Sequence, residues 1–465
     1  MVTGSRVSLS RSVAVLALQG EAGTRLVDTP MLPNCMASII VPARDEAVGI
    51  VATLAALAGQ VDHDGRQLDP RTYEIILLAN NCDDDTAAQA RRFALQHPRL
   101  ALHVIERILP QREAHVGMAR RLLMEEAAQR FRDLAHPAGV IVSTDADTLP
   151  EPTWLHAILA AIAEGADAVG GRILTDLAGR AALPVGARQA HLRDVGYRSL
   201  VAEVESLLDP SPSDPWPRHY QHFGASLALT ADAYQKVGGL LALPALEDVA
   251  LSIALVLADA RLRHSPNVRV FTSARTVARN LRGFSTQFQE WGALHAARKP
   301  VLVESAASAV TRARQRGQLR ALWHAARRPS DCPPYPCTAL SDELALPAAW
   351  LVGQASIAAT FGQFELQVAR RQGKRLPFDA LGPLQPIEVA TRELRPIVAE
   401  LRRRGPVALP ACEEVDPIGL QALPAEMIEE VAVTVQEFLV DLVAVQRGIV
   451  DRRGPVDQQE VAAAG

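Results

Sequence analysis

The chain has 465 residues, 48% of them hydrophobic and 22% charged, the balance of a folded protein rather than a disordered one; that length predicts two domains or one enlarged domain. The formal net charge is -4, with no long run of one sign, which argues against a nucleic-acid surface. Five scattered cysteines offer no disulfide framework and point to a reducing compartment, so a cytoplasmic protein is expected.

Residues 1–36 read as an irregular arm. The apolar run at 13–18 inside it is too short to span a bilayer, and no convincing cleavage site follows. From Ala37 the pattern turns to alternating strand and helix. Residues 38–42 form a buried-type strand closed by proline, and 50–57 repeat apolar residues at helical spacing. Residues 73–79 are a second strand ending in the polar turn 80–85. A helix over 86–95, a strand over 100–105 and a longer amphipathic helix over 117–131 follow. This alternation predicts an α/β fold with a mostly parallel sheet covered on both faces.

The next strand, starting at Val140, ends in two aspartates, Asp145 and Asp147, just before Leu149-Pro150. Positions i and i+2 of an ideal strand share a face, so both carboxylates can reach one ligand while Ala146 points away. Ligands of α/β folds sit at strand C-termini. Two hard oxygen donors there suit Mg²⁺ or Mn²⁺ beside a diphosphate. The pair alone is a weak signal, because aspartate is common wherever strands stop.

Residues 168–173 open a different section, and about 174–219 is expected to be an insertion ending in the proline-rich loop 209–217. Residues 222–229 resume strand character and a helix starts at Asp232. Gly238-Gly239 then precedes an acidic pair, Glu247-Asp248, at the head of an apolar helix over 249–257. A last strand covers 268–272. Beyond Arg298 strand signals fade, and 310–326, 388–403 and 426–447 have helical spacing with proline-rich connectors. Cys332 and Cys337 flank such a connector as free thiols, too widely spaced for a zinc knuckle. The moderately apolar stretch 346–361 is too short for a transmembrane anchor. Any membrane contact is expected to be peripheral.

Taken in order, Ile39-Ile40-Val41-Pro42-Ala43-Arg44-Asp45-Glu46, Asn80-Asn81-Cys82-Asp83-Asp84-Asp85-Thr86, Gly117-Met118-Ala119-Arg120-Arg121, Thr144-Asp145-Ala146-Asp147, Phe223-Gly224-Ala225-Ser226, Gly238-Gly239 and Glu247-Asp248 resemble the motif series of the family 2 glycosyltransferases of the GT-A fold. Each motif is weak alone, and the ordered series is strong. The resemblance runs from about Ala37 to Trp291 and leaves the C-terminal third uncovered. It implies a GT-A domain over 37–297, with a Rossmann-like mixed sheet, followed by a mainly α-helical region over 298–465. It also implies transfer of a sugar from a nucleotide-diphosphate sugar, UDP- or GDP-linked, to an acceptor hydroxyl, assisted by a divalent cation, Mg or Mn.

On this resemblance Pro42, Arg44, Glu46, Asn80 and Asp84 border the nucleoside, and Arg120 lies on a helix beneath the diphosphate. Asp147 binds the metal, with Asp145 supporting the ribose or a water on the metal. Asp248 is the general base for an in-line displacement that inverts the anomeric carbon. Plainer readings stand beside three of these. Asp84 is also a favoured cap for the helix after it. Arg120 is also a solvated helix arginine, and Glu247-Asp248 an acidic pair complementing a helix dipole.

Some residues depart from the family pattern. Ala79 replaces the aspartate that often reads uracil, which leaves GDP open, and Asp45 replaces an asparagine. Gln287-Phe288-Gln289-Glu290-Trp291 is similar to the Q-x-x-R-W signature of processive polysaccharide synthases, but Glu290 reverses the charge, so a non-processive enzyme is expected. Arg275 is a candidate to reach the pyrophosphate. His264, a possible third metal ligand, is kept out of the metal set. Trp216, His219, Tyr220 and His222 are expected to border the acceptor side. A retaining GT-A transferase and a non-catalytic sugar-nucleotide-binding scaffold remain as alternatives. A sugar-1-phosphate nucleotidyltransferase lacks its glycine-rich triphosphate loop here.

Overall fold

Residues 38–42 carry no polar alternation, and in the computed structural model the strand they predict, β1 (Ala37–Ala43), is buried at every position. β2 (Tyr73–Asn80) is buried throughout in the same way, whereas β3 (Ala101–Arg107) is half-covered at the sheet edge. β4 (Val140–Thr144) is again fully buried, as strands covered on both faces are. The chain continues through β5 (Thr148–Pro150), β6 (Ala168–Thr175), β7 (Ser226–Thr230) and β8 (Leu262–Thr272). The described residues are 25–274, 284–327, 337–374, 382–407 and 420–446. The apolar run at 13–18, Arg275 and Cys332 lie outside them.

One eight-stranded sheet has the order β3-β2-β1-β4-β7-β6-β8-β5. β1 is parallel to β2 and β4, and β2 to β3. β7 then runs antiparallel between β4 and β6, and β8 is parallel to β6 but antiparallel to β5. The sheet is therefore parallel at one end and mixed at the other. Successive residues of β1 serve opposite faces: Ile40 joins one apolar cluster with Leu123, Met124 and Phe131, while Ile39 and Val41 join a second with Leu54, Trp154 and Ile158. Beneath β2 a buried ion pair holds the helix Val116–Asp133. Arg130 Nη2 and Nε lie 2.6 and 2.9 Å from the Glu74 carboxylate, which also accepts from Ser38 Oγ at 2.9 Å.

Two features were not legible as elements. β5 begins immediately after Asp147 and ends at Pro150, too short a strand for alternation to reveal. The expected insertion contains a helix of 24 residues, Val185–Leu208, which buries His191, Asp194 and Glu203 beside its apolar residues and so lacks a clean hydrophobic stripe. Residues 25–36 are irregular as expected, but Val27, Met31 and Cys35 are buried against the sheet. Cys337 is a free thiol as expected, and it is buried in a helical cluster with Leu340 and Phe364.

Among the described residues from 298 onward the chain is mainly helical, apart from an antiparallel pair of three-residue strands, Leu302–Glu304 and Leu384–Pro386, with four helices between them. The helix Ile387–Arg404 lays Ile387, Ala390, Leu394 and Val398 against Tyr197 and Val204 of the insertion helix. Arg316 and Arg320 converge on buried Asp209 at 2.5 and 2.7 Å. The helix Ala425–Gln446 places Ile428, Val431, Ala432 and Val435 in the same cluster as the sheet residues Leu227 and Leu229. Among the described residues no helix is long and apolar enough to cross a membrane.

Each of the buried Ile, Leu and Val side chains among these contributes about 1.5–3 kcal/mol by leaving water. A chain cut after Ala297 is therefore expected to be recovered almost wholly in the insoluble fraction. A soluble, cooperatively unfolding fragment would show that the helices are dispensable for the core.

Candidate active site

β1, β2 and β4 run parallel, so the loops that follow them emerge on one edge. The first two loops are laced together. Glu46 N donates to Thr86 Oγ1 at 2.8 Å, Ala47 N to Asp84 Oδ2 at 2.9 Å, and Asp83 N to Asp45 Oδ1 at 2.8 Å. Asp84 also accepts from Thr86 N at 3.0 Å. Asp84 thus bonds the first residue of the following helix, while Asp85 occupies the N-cap position and makes no side-chain cap bond. Asp45, Cys82 and Asp84 bring potential ligand atoms within 4.8 Å of one another. Hydrogen bonds within the loops engage all three, which makes the group a clasp.

A cleft of about 580 Å³ opens between these loops and the far half of the sheet. Pro42, Arg44, Glu46, Asn80, Arg120, Asp145, Asp147 and Asp248 all line it, and Asp84 does not. Asp145 and Asp147 stand in the turn between β4 and β5, one step beyond the strand that was expected to carry them. Both still reach the same cleft.

Arg120 is not a solvated helix arginine. It is 3% exposed, and its guanidinium is a hub. Nε donates to Glu247 Oε1 at 3.1 Å, Nη2 to Asp145 Oδ1 at 3.0 Å, and Nη1 to Ser143 Oγ at 2.7 Å and the Gly224 carbonyl at 2.8 Å. A Cβ at residue 224 would lie 2.3 Å from Nη1, so only glycine lets the strand entrance approach this close. Gly224 N in turn donates to Asp248 Oδ2 at 2.7 Å. The chain reaches Asp248 through Gly238-Gly239, whose φ values of 81° and 79° are left-handed and favour glycine.

Glu247 heads the helix Glu247–Leu257 and is 4% exposed. Burial first, and then the neighbouring Asp248 charge, push its carboxyl up to about 7 against the pull of Arg120. The macrodipole reading of this acidic pair is incomplete, because both carboxylates also bond away from their own helix.

The other wall comes from the insertion helix. His191, Asp194, Val195 and Arg198 line the cleft, the i, i+3, i+4, i+7 spacing of one helical face. Arg198 Nε lies 3.0 and 2.9 Å from the two Asp194 oxygens, and its Cζ is 5.7 Å from the Tyr220 ring centre. Ser285, Thr286 and Gln287 complete this side, while Phe288 and Trp291 of the same helix are buried against Leu183 and Ala187.

Of the residues expected at the acceptor side, only Tyr220 lines the cleft. Trp216 is largely exposed elsewhere, and His219 and His222 are held in a buried network with His264. His264 Nδ1 pairs with Asp214 at 2.8 Å, and its Nε2 faces His222 Nδ1 at 3.3 Å. His264 is therefore engaged behind the cleft. Burial pushes both His219 and His222 down to about 3, which keeps them neutral. Sequence reasoning missed Asp194 and Arg198. Their spacing from His191 is a helical stripe, but a polar one.

Glu247 supplies a test of the site's electrostatics. Its folded-state value lies above the ordinary 4.5, so the stability it contributes is complete below about 4.5 and lost as pH rises through about 7. In EDTA, Glu247→Gln is expected to remove a fall on the order of 1–3 kcal/mol across that window, measured by urea unfolding at several pH values. An unchanged slope would assign the effect to another group.

A comparison with curated proteins found no match. Among solved structures, the mannosyltransferase PcManGT from Pyrobaculum calidifontis, in complex with GDP-Man and Mn²⁺, is 18% identical, with 75% of this chain and 80% of that one covered at a TM-score of 0.36. S. aureus TarS 1-349 in complex with UDP-GlcNAc is 15% identical over 79% of this chain and 87% of that one, with a TM-score of 0.37. M. tuberculosis glucosyl-3-phosphoglycerate synthase is 14% identical over 63% and 86%, with a TM-score of 0.30. The mixed sheet with its helical C-terminal region is a GT-A-like α/β fold. Residues 38–188, from β1 into the insertion helix, match the family model described as Glycosyl transferase family 2.

Proposed function

We propose that the chain is a non-processive, inverting glycosyltransferase that moves a sugar from a UDP- or GDP-sugar to an acceptor hydroxyl. The observation that carries this reading is the convergence of Asp145, Asp147, Glu247 and Asp248 on one cleft, with Arg120 bonded to the first and third. The family match over 38–188 supports the reaction class.

In this reading Pro42, Arg44, Glu46 and Asn80 receive the nucleoside at the ends of β1 and β2. Asp145 and Asp147 are two carboxylates in one turn, a hard-oxygen set that fits Mg²⁺ or Mn²⁺. They would hold the cation, which would supply charge to offset the negative charge growing on the departing diphosphate. Arg120 fixes Asp145 in place. Asp248 takes the proton from the acceptor hydroxyl as its oxygen bonds to the anomeric carbon. The bond from that carbon to the phosphate oxygen breaks on the opposite side, and its electron pair leaves with the nucleoside diphosphate. Gly224 N orients Asp248 by donating to one carboxylate oxygen. A cytoplasmic site of action belongs to this reading, supported by the unpaired thiols Cys35, Cys82 and Cys337.

Asp147→Ala is expected to abolish the Mn²⁺-dependent part of UDP or GDP binding in calorimetric titrations run with Mn²⁺ and with EDTA. Equal affinity with and without the ion would sink the metal assignment. Asp248→Asn keeps an acceptor for Gly224 N but removes the base. It should bind nucleotide normally and turn over roughly 100-fold more slowly, the usual scale of general-base loss. Unaltered turnover would move the base to another residue, whereas intact biological activity in a variant without turnover would favour a sugar-nucleotide-binding scaffold.

A further inference from the structure

The far wall of the cleft offers hydrogen-bond donors that the protein itself does not use. Arg198 is anchored through Nε alone, and among the described residues its two terminal nitrogens meet no acceptor. Its side chain is 46% exposed, against 12% for Asp194, so on this wall the guanidinium is more open to the cleft than its counter-ion. Tyr220 lines the cleft beside it, and its hydroxyl likewise has no partner among the described residues. Burial pushes that phenol up to about 12, so it stays a donor at neutral pH.

This wall is not the donor side. The insertion helix leaves the sheet after β6, which lies beyond β7 from β4, whereas the loops assigned to the nucleoside follow β1 and β2 at the opposite end. A planar guanidinium with two parallel N–H groups matches a carboxylate or phosphate oxygen pair in a way a neutral polyol cannot. Asp194 holds the fork still, so little side-chain entropy is lost when an anion arrives.

We infer that the acceptor carries an anionic group, a carboxylate or phosphate monoester near the reacting hydroxyl, and that Arg198 with Tyr220 receives it. This rests on the glycosyltransferase reading and names the acceptor class for the same cleft.

The test uses the full-length chain saturated with Mn²⁺ and either UDP or GDP, titrated with matched probes: glycerol, D-glycerate and glycerol 1-phosphate, then glucose, glucuronate and glucose 6-phosphate. At least one anionic probe should bind 10-fold or more tightly than its neutral partner, and the carboxylate and phosphate arms identify which anion is taken. Arg198→Gln should abolish that preference, and Arg198→Lys should keep part of it. Nucleotide affinity, read in the same titrations, should be unchanged in both variants. An absence of anionic preference in every set, or a preference that survives Arg198→Gln, overturns the inference. Loss of nucleotide binding in the parent chain would instead be the failure of the transferase reading, a result visible before any probe is added.

Discussion

A single buried guanidinium organises this molecule's cleft. Arg120 is a full positive charge removed from water, a state tolerated only where opposite charge and hydrogen-bond acceptors surround it. It meets that requirement by drawing in Asp145 from the β4–β5 turn, Glu247 from a helix N-terminus, Ser143 from β4 and the carbonyl of Gly224 before β7. Three segments far apart in sequence, around residues 143–145, 224 and 247, are thereby held at fixed distances around one cation. The acids could not crowd so closely without it, and the elevated Glu247 carboxyl shows how near that balance lies to neutrality.

The sheet explains why these segments meet. The parallel half delivers β1, β2 and β4 with their C-terminal ends on one edge, and antiparallel β7 returns the chain so that its entrance, at Gly224, lies beside the end of β4. One wall of the cleft is therefore built by the sheet itself. The opposite wall comes from the helix Val185–Leu208, which belongs to no strand pairing and is held by packing and by ion pairs from the C-terminal helices. The rigid half and the added half of the cleft thus have different structural origins.

That division also marks what was legible in the sequence. Unbroken apolar runs such as 38–42 and 73–79 announced buried strands because burial on both faces leaves no polar period to confuse them. The motif series located Pro42, Arg44, Glu46, Asn80, Arg120, Asp145, Asp147 and Asp248, and all of these line one cleft. Asp84 carried two readings, nucleoside contact and helix cap; beside its bond to Thr86 N it makes one to Ala47 N, in a loop 37 residues away that no local pattern reveals. The motif series put Arg120 beneath the diphosphate, but its burial had no local signature, because its partners lie up to 127 residues away. His222 and His219 do not line the cleft, for the same reason: His264, which ties them to Asp214, lies 42 residues beyond His222. The insertion helix stayed hidden because its buried face is built partly from His, Asp and Glu.

The helix Val185–Leu208 looks two ways. Its Asp194 and Arg198 face the cleft, while Tyr197 donates to the Glu304 carbonyl at 2.8 Å and Glu203 pairs with Arg402. This geometry bears on how such chains can be recombined. A chimera that exchanges only the insertion would present a foreign back surface to the C-terminal helices, leaving Arg402 and the Glu304 carbonyl unmatched. The insertion and the helices behind it form one inheritable cassette, and a change of acceptor by exchange of parts would require moving both together.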